Sequence, residues 1–405
     1  MKKRIVSTIL TMVMGFSMCT MGGNPTQVQA AGIVMEYQDI NSDQASKASV
    51  IKPGILQKES DIDTVMNHAY MVTVTNDEEK SITIPVKVTA DGKLNYVISS
   101  DNENSSGTAT YILSKDSAGK NVIATGSQNL QSTNTYDNME KLSKGTYYLT
   151  IKMDGNILED GLFYIQACIY KIGNQVLTNN VPIISASNGK AATYYKITVS
   201  KPSTLAFQFA GFDSLTGKVT LCDKNKKVIS ATSVIGKTED QGVQTYVVNK
   251  GTYYYKVTTT NSAYIVQSNA SSYTDTAGKT VAKAKALSLN KEIKGYVSLA
   301  DKKGTIDYYK LTTKKANSLK GLYVGYYGQG TIQVSIKIPG YKTATAKLTS
   351  GDLYHIDSLY ETVTTGSGTY YRDKVFPKGT YTIQIKKLTA KTNGTCYIGT
   401  KLYQE

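Results

Sequence analysis

The chain has 405 residues, with 46 Lys and Arg against 31 Asp and Glu, 31 tyrosines, no tryptophan, two histidines and four cysteines. Two histidines cannot furnish a three-histidine metal centre, and no His-Glu-x-x-His, Gly-x-Ser-x-Gly, phosphate-cradling loop or Cys-x-x-Cys pair occurs. This excludes the enzyme classes that announce themselves by local motifs, and the length allows several domains that each bury a core.

Residues 1–30 read as a signal peptide. Lys2-Lys3-Arg4 is a basic start, Ile5 to Met21 is a short apolar run, and Val28-Gln29-Ala30 places small residues at −3 and −1, so cleavage is expected after Ala30. Cys19 follows Met18, not the small residue that lipidation needs. No second apolar segment follows, and Thr400 to Glu405 carries neither a hydrophobic tail nor a sorting motif. Export without a transmembrane or covalent anchor is the expectation.

Lys-Gly-Thr-Tyr then recurs three times, at Lys144–Tyr147, Lys250–Tyr253 and Lys378–Tyr381, with glycine spacings of 106 and 128 residues. Such spacings are domain-sized, well above a solenoid period. Each copy opens a run of period two: Tyr147, Leu149 and Ile151; Tyr253, Tyr255 and Val257; Tyr381, Ile383 and Ile385 share a face, with Tyr148, Tyr254 and Thr382 opposite. Half-buried antiparallel strands follow, with Tyr147, Tyr253 and Tyr381 in the core. A second shared strand lies upstream, holding Lys87, then Tyr194-Tyr195-Lys196, then Tyr308-Tyr309-Lys310, and the three lysines are expected in register. Strands ending at Lys115 and Cys222 run into the turns Asp116–Lys120 and Asp223–Lys227, units of one design. Thr280–Leu289 is the one stretch that suggests a helical turn. Together these elements predict an all-β chain of three tandem jelly-roll-like antiparallel β-sandwich domains, 31–174, 175–274 and 275–405.

Past the leader, Cys168, Cys222 and Cys396 are dispersed and odd in number, which is no disulfide framework. They read as small buried hydrophobes, with Cys168 and Cys396 on the same closing strand of two repeats. Charge is graded along the chain. Residues 31–174 hold 12 Lys and Arg against 18 Asp and Glu, 175–274 hold 10 against 4, and 275–405 hold 21 against 9. Net charge therefore rises from −6 through +6 to +12.

The third repeat contains Asp275-Thr276-Ala277, Ala286-Leu287-Ser288-Leu289, Ile293-Lys294-Gly295-Tyr296-Val297, Asp307-Tyr308-Tyr309-Lys310-Leu311 and Lys378-Gly379-Thr380-Tyr381. In these segments it resembles the bacterial pre-peptidase C-terminal domain, a jelly-roll-like sandwich appended to secreted proteases and also found without an enzyme. The second repeat shares the Tyr-Tyr-Lys and Lys-Gly-Thr-Tyr strands, and the first is more loosely similar. The resemblance implies a secretion, stability or adhesion module. It further implies a calcium site near the entry linker, for which Asp275, Asp301 and Asp307 are the metal candidates. The chain departs from the pattern where Thr274 replaces Asn and Thr193 replaces the acid before Tyr-Tyr.

In a Tyr-Tyr pair one ring faces inward and its neighbour outward. Tyr148, Tyr194, Tyr254 and Tyr308 are thus ligand-contact candidates, able to stack on sugars or touch a fibrous protein. The expected function is non-catalytic binding, adhesion or cell-envelope association of a secreted protein. Its expected partner is an anionic cell-wall polymer, a glycan or an extracellular matrix protein. Nucleic acid is not expected, since the compartment is wrong and no binding motif is present. The alternative is a secreted hydrolase or protease accessory with a site in the first repeat around Asp61, Asp63 and His68.

Overall fold

The structure is a computed structural model. It describes residues 49–400 apart from 59–60, 62–68, 76–79, 101–105, 131–135, 157–159, 190, 212–216, 236–242, 261–262 and 366–367, together with the backbone of 5–9, 36–40 and 45–47. For residues 106, 156, 210–211, 235 and 360–373 only the backbone is described. The leader otherwise lies outside the described residues; Ile5–Ile9 is a strand antiparallel to Glu36–Ile40.

The chain is all-β, and no helix among the described residues is long and apolar enough to cross a membrane. Three pairs of sheets follow one another with one strand order. The first sheet of each pair runs Ser81–Val88, Gly145–Asn156, Ser106–Ser114; then Thr193–Val199, Gly251–Thr259, Gly217–Cys222; then Ile306–Thr313, Gly379–Lys387, Ile332–Lys337. The Lys-Gly-Thr-Tyr strand is central in each. The opposing sheets are centred on Gly161–Lys171, Ala263–Ser272 and Asn393–Gly399. Period-two patterning turns the apolar sets of both sheets inward, and each pair encloses its own cluster of buried side chains. Thr280–Leu289 is not helical; it makes turns closed by Lys283 N–H to Thr280 O and Ala284 N–H to Val281 O before a two-residue strand.

The repeated motif has one job in all three places. The first tyrosine lays its ring back toward the preceding turn and donates its hydroxyl to the carbonyl four residues upstream: Tyr147 to Ser143 O at 2.9 Å, Tyr253 to Asn249 O at 2.9 Å, Tyr381 to Pro377 O at 2.6 Å. This is a tyrosine corner, which pins the entry of a strand and satisfies the phenol. Gly379 sits at φ 137°, and a Cβ there would come within 2.9 Å of Pro339, so both conformation and space demand glycine. Tyr147 and Tyr381 are buried as expected, but Tyr253 is only half-buried. Five residues before the three tyrosines stand Leu142, Val248 and Phe376, and the smallest of them precedes the most open ring. Phe376 packs against Tyr381 with centroids 6.4 Å apart.

Pairing corrects one register. Gly145, Gly251 and Gly379 pair with Val88, Val199 and Thr313, so Pro85, not Lys87, occupies the position of Lys196 and Lys310. The entry segments agree: Ile51, Leu177 and Leu287 each donate a backbone N–H to the carbonyl of Pro85, Lys196 and Lys310. Lys87 instead faces Thr146, where the other two pairs carry the threonine couples Thr198–Thr252 and Thr312–Thr380, bonded at 3.1 Å each.

The pairs are not beads on a string. Leu56, Cys168 and Tyr170 of the first form a fourth buried cluster with Ile184, Ala186, Ala263 and Ile265 of the second, and Ile184 N–H donates to Gln57 O at 2.7 Å. Cys168 therefore faces this joint, while Cys396 on the matching strand faces its own core. At the next joint Leu299 N–H donates to Val247 O at 2.9 Å, Val247 N–H donates to Asn393 Oδ1 at 3.0 Å, and Tyr273 stacks on Tyr296 at 4.1 Å. Neighbouring pairs share buried apolar surface and backbone bonds, which opposes independent motion.

The motif tyrosines give a direct check. Tyr381→Ala should cost about 3 to 5 kcal/mol, and Tyr381→Phe about 1 kcal/mol for the lost hydroxyl bond. Tyr148→Ala, on the outer face, should cost far less. Denaturant midpoints of the three variants test the order, and equal losses for Tyr381→Ala and Tyr148→Ala would overturn the assignment of faces.

Candidate functional site

With the inward positions occupied by core, the candidate contact tyrosines stand on the outward faces of the first sheet in each pair. In the second pair the register sets Tyr194 opposite Lys256 and Lys196 opposite Tyr254, a two-by-two checkerboard of phenols and ammonium groups. All four are half-buried. The two rings meet edge to face with centroids 6.5 Å apart. Of the four candidate contact tyrosines, the structure unites these two. Tyr148 stands opposite Pro85 and Tyr308 opposite Gln384, each half-buried on another sheet.

A residue that the sequence reading passed over completes the group. Lys226 reaches back from the turn Asp223–Lys227 and places Nζ 4.8 Å from the Tyr194 centroid and 5.5 Å from that of Tyr254, within cation–π range of both. The turn is built by Asp223, whose Oδ1 accepts the N–H groups of Asn225 and Lys227 at 2.9 Å each. Asp116 builds the same turn in the first pair, accepting from Ala118, Lys120 and Asn121. These backbone donors hold the exposed Asp116 carboxyl below its usual range. Three residues after each aspartate the backbone is left-handed: Gly119 at φ 68° in one turn, Lys226 at φ 61° in the other. For a lysine that conformation costs roughly 1 to 2 kcal/mol. The matched Asp-x-x-Gly and Asp-x-x-Lys segments were the available signal.

The outward face of the third pair is lysine-rich. Lys310, Lys337, Lys347 and Lys386 occupy outward positions among Thr312, Thr380, Thr382, Gln384, Gln333, Ser335 and Thr345, with no carboxylate at these positions. In the first pair the corresponding face is Thr-rich and carries Lys87, Lys152 and Asp154. The charge gradient of the sequence is thus expressed on equivalent sheets.

Asp275 and Asp307 do come together, but around a lysine. Lys279 Nζ lies 2.9 Å from Asp275 Oδ2 and 2.5 Å from Asp307 Oδ1. Asp301 is engaged elsewhere, its Oδ2 accepting Ser298 N–H at 2.7 Å. Among the described residues no group of three His, Cys, Asp or Glu could hold a metal ion, and this ammonium-filled arrangement does not fit a hard dication. Burial pushes the Asp307 carboxyl up to about 6 against the pull of Lys279, with Asp275 and Asp301 adding to the rise. Partial burial works against the Lys279 charge, and its bonds to Asp307 and Asp275 more than offset this, holding it above its ordinary value. At neutral pH the Lys279–Asp307 pair is ionic, and Asp307 takes a proton as pH falls through about 6.

Desolvation pushes the Cys168 thiol up to about 12 and raises Cys222 and Cys396, and all three are free and buried. Asp61 Oδ2 accepts the N–H groups of Gln57 and Lys58 at 3.1 and 2.8 Å, closing a turn. Asp63 and His68 lie outside the described residues.

No family model and no curated protein matches the chain. Among solved structures it is similar to the exported protein XepA of PBSX, at 10% identity over 50% of this chain and 86% of that one, with a TM-score of 0.19. It is also similar to N-glycanase F, at 9% identity over 50% and 99% with a TM-score of 0.18, and to an archaeal-virus protein with a triple jelly roll fold, at 11% identity over 87% and 96% with a TM-score of 0.16. At such scores the likenesses carry no argument about site or function.

Removing the ammonium from between the two aspartates should leave Asp307 buried and uncompensated. Lys279→Ala should destabilise by about 1 to 3 kcal/mol at pH 7.5. A carboxyl whose folded value lies above its unfolded one is least unfavourable below the unfolded value, and its cost grows as pH rises through about 6. The deficit should therefore shrink at pH 5, where Asp307 takes a proton. Denaturant midpoints at both pH values measure it, and an identical deficit at each would refute this electrostatic account.

Proposed function

We propose that the chain is a secreted, non-catalytic binding protein that associates with the cell envelope by engaging an anionic polymer through the outward faces of its second and third sheet pairs. The observation that carries this reading is the third-pair face, where Lys310, Lys337, Lys347 and Lys386 stand on adjacent strands with no carboxylate among the outward positions. Lysines of one sign on one face of a sheet keep unspent charge, because among the described residues no ion pair on that face neutralises it. A polyanion satisfies several of them at once, and each weak contact adds through multivalency. The joints between sheet pairs support the same reading, since they hold the faces in fixed relation to a long ligand. It agrees with the adhesion or stability role that the resemblance to the pre-peptidase C-terminal domain implies.

The test is retention of the chain lacking its first 30 residues on purified cell walls with their anionic polymer intact or stripped, across a salt series. Retention should require the polymer and fall steeply with salt. Replacing the four lysines of the third-pair face with Gln should weaken it by about tenfold, which corresponds to about 1.4 kcal/mol spread over four side chains. The thermal midpoint should stay near that of the parent, because these substitutions are on the surface. Equal retention on stripped walls, or indifference to salt, would defeat the proposal.

A further inference from the structure

We propose that Lys226, seated on Tyr194 and Tyr254 and flanked by Lys196 and Lys256, is a built anion-recognition subsite for a phosphodiester or carboxylate group of the polymer; this rests on the binding function proposed above. Three observations converge on it. The first is conformational. The turn that carries Lys226 has a twin in the first sheet pair, with the same aspartate and the same left-handed fourth position, and there the residue is Gly119. Glycine takes that conformation without penalty, whereas lysine does not. A strained side chain at a site where a permissive residue would serve the turn equally points to a role beyond the turn.

The second is placement. Lys226 Nζ is within 4.8 and 5.5 Å of two ring centroids that are themselves edge to face. Tyrosine rings hold a cation without neutralising it, unlike a carboxylate. The long, flexible stem is thereby immobilised while the full positive charge remains, so less entropy is lost when an anion binds. The third is the surrounding field. Lys256 stands opposite Tyr194 and Lys196 opposite Tyr254, which puts two further lysines at outward positions beside the two rings. Asp223 is the only carboxylate among the described residues of the second sheet pair, and its Oδ1 is already bonded to Asn225 and Lys227 N–H groups. The tyrosine hydroxyls add donors suited to anionic oxygen.

Glycine supplies the test, because Lys226→Gly removes the ammonium while relieving the backbone. The full chain and this variant are passed over immobilised poly(glycerol phosphate), polygalacturonate and uncharged dextran. A Tyr194→Leu/Tyr254→Leu double variant, which keeps Lys226 but removes its seat, is run beside them. The parent should be retained on at least one charged polymer and not on dextran. Lys226→Gly should lose about tenfold in affinity with a thermal midpoint equal to or above the parent's, and the double variant should lose a similar factor. Loss confined to poly(glycerol phosphate) assigns a phosphodiester, and loss confined to polygalacturonate assigns a carboxylate. Retention of Lys226→Gly equal to that of the parent overturns the subsite and leaves the broader binding function standing. A lowered midpoint with unchanged affinity also overturns it, since Lys226 would then serve the fold alone. Failure of the parent to bind either charged polymer overturns both proposals.

Discussion

A phenol can be buried at low cost only if its hydroxyl finds an acceptor, and much of this architecture follows from meeting that condition many times over. The chain has no tryptophan and few phenylalanines, so tyrosine carries the aromatic bulk of its cores. The corner bonds of Tyr147, Tyr253 and Tyr381 meet the condition at each strand entry. Deeper in the second pair, Tyr195 donates to Ser185 Oγ at 2.9 Å and lies 2.7 Å from the Tyr264 hydroxyl, and Tyr255 reaches Ser268 Oγ at 2.7 Å. The hydroxyls of Tyr111 and Tyr246 are the exceptions, buried without a hydrogen-bond partner among the described residues. Burial raises the phenols of Tyr195, Tyr255 and Tyr264 above their ordinary value, so each stays a neutral donor under physiological conditions.

The same condition shapes the joints. Ser185, which accepts from Tyr195, also accepts from Gln175 Nε2 at 3.0 Å, and Gln57 Nε2 of the first pair donates to Gln175 Oε1 at 3.1 Å. The polar chain that satisfies a core phenol thus ends in the neighbouring sandwich. A core requirement in one unit becomes part of the bond between units. The outward side of the strands is where a Tyr-Tyr pair sends its other ring and where lysines and threonines fill the alternate places.

The period-two runs after each Lys-Gly-Thr-Tyr identified the central strands and, at Tyr147 and Tyr381, the core face, because a one-residue error would have turned every apolar side chain to solvent. Tyr253 was half-legible: it makes the same corner bond as the other two, but its ring is only half-buried. The register of Lys87 was misread because position along a strand was judged by residue type, whereas backbone pairing is set by Gly145 against Val88. At the site, the outward tyrosines and the charge gradient were readable. The meeting of Tyr194 with Tyr254 was not, as it depends on cross-strand pairing between segments some sixty residues apart. Lys226 and Lys279 escaped notice because each acts through a turn, and a charged residue in a turn looks like solvated surface until its partners are placed.

In the proposed function, interiors are given over to packing and recognition belongs to the lysine-bearing outer faces. Lysine acetylation footprinting of the chain with and without a bound anionic wall polymer, read by peptide mass spectrometry, addresses this most directly. Lys196, Lys226, Lys256, Lys310, Lys337, Lys347 and Lys386 should become protected while Lys115, Lys120 and Lys144 of the first pair react as before. Uniform protection along the chain, or protection concentrated on the first pair, would contradict it.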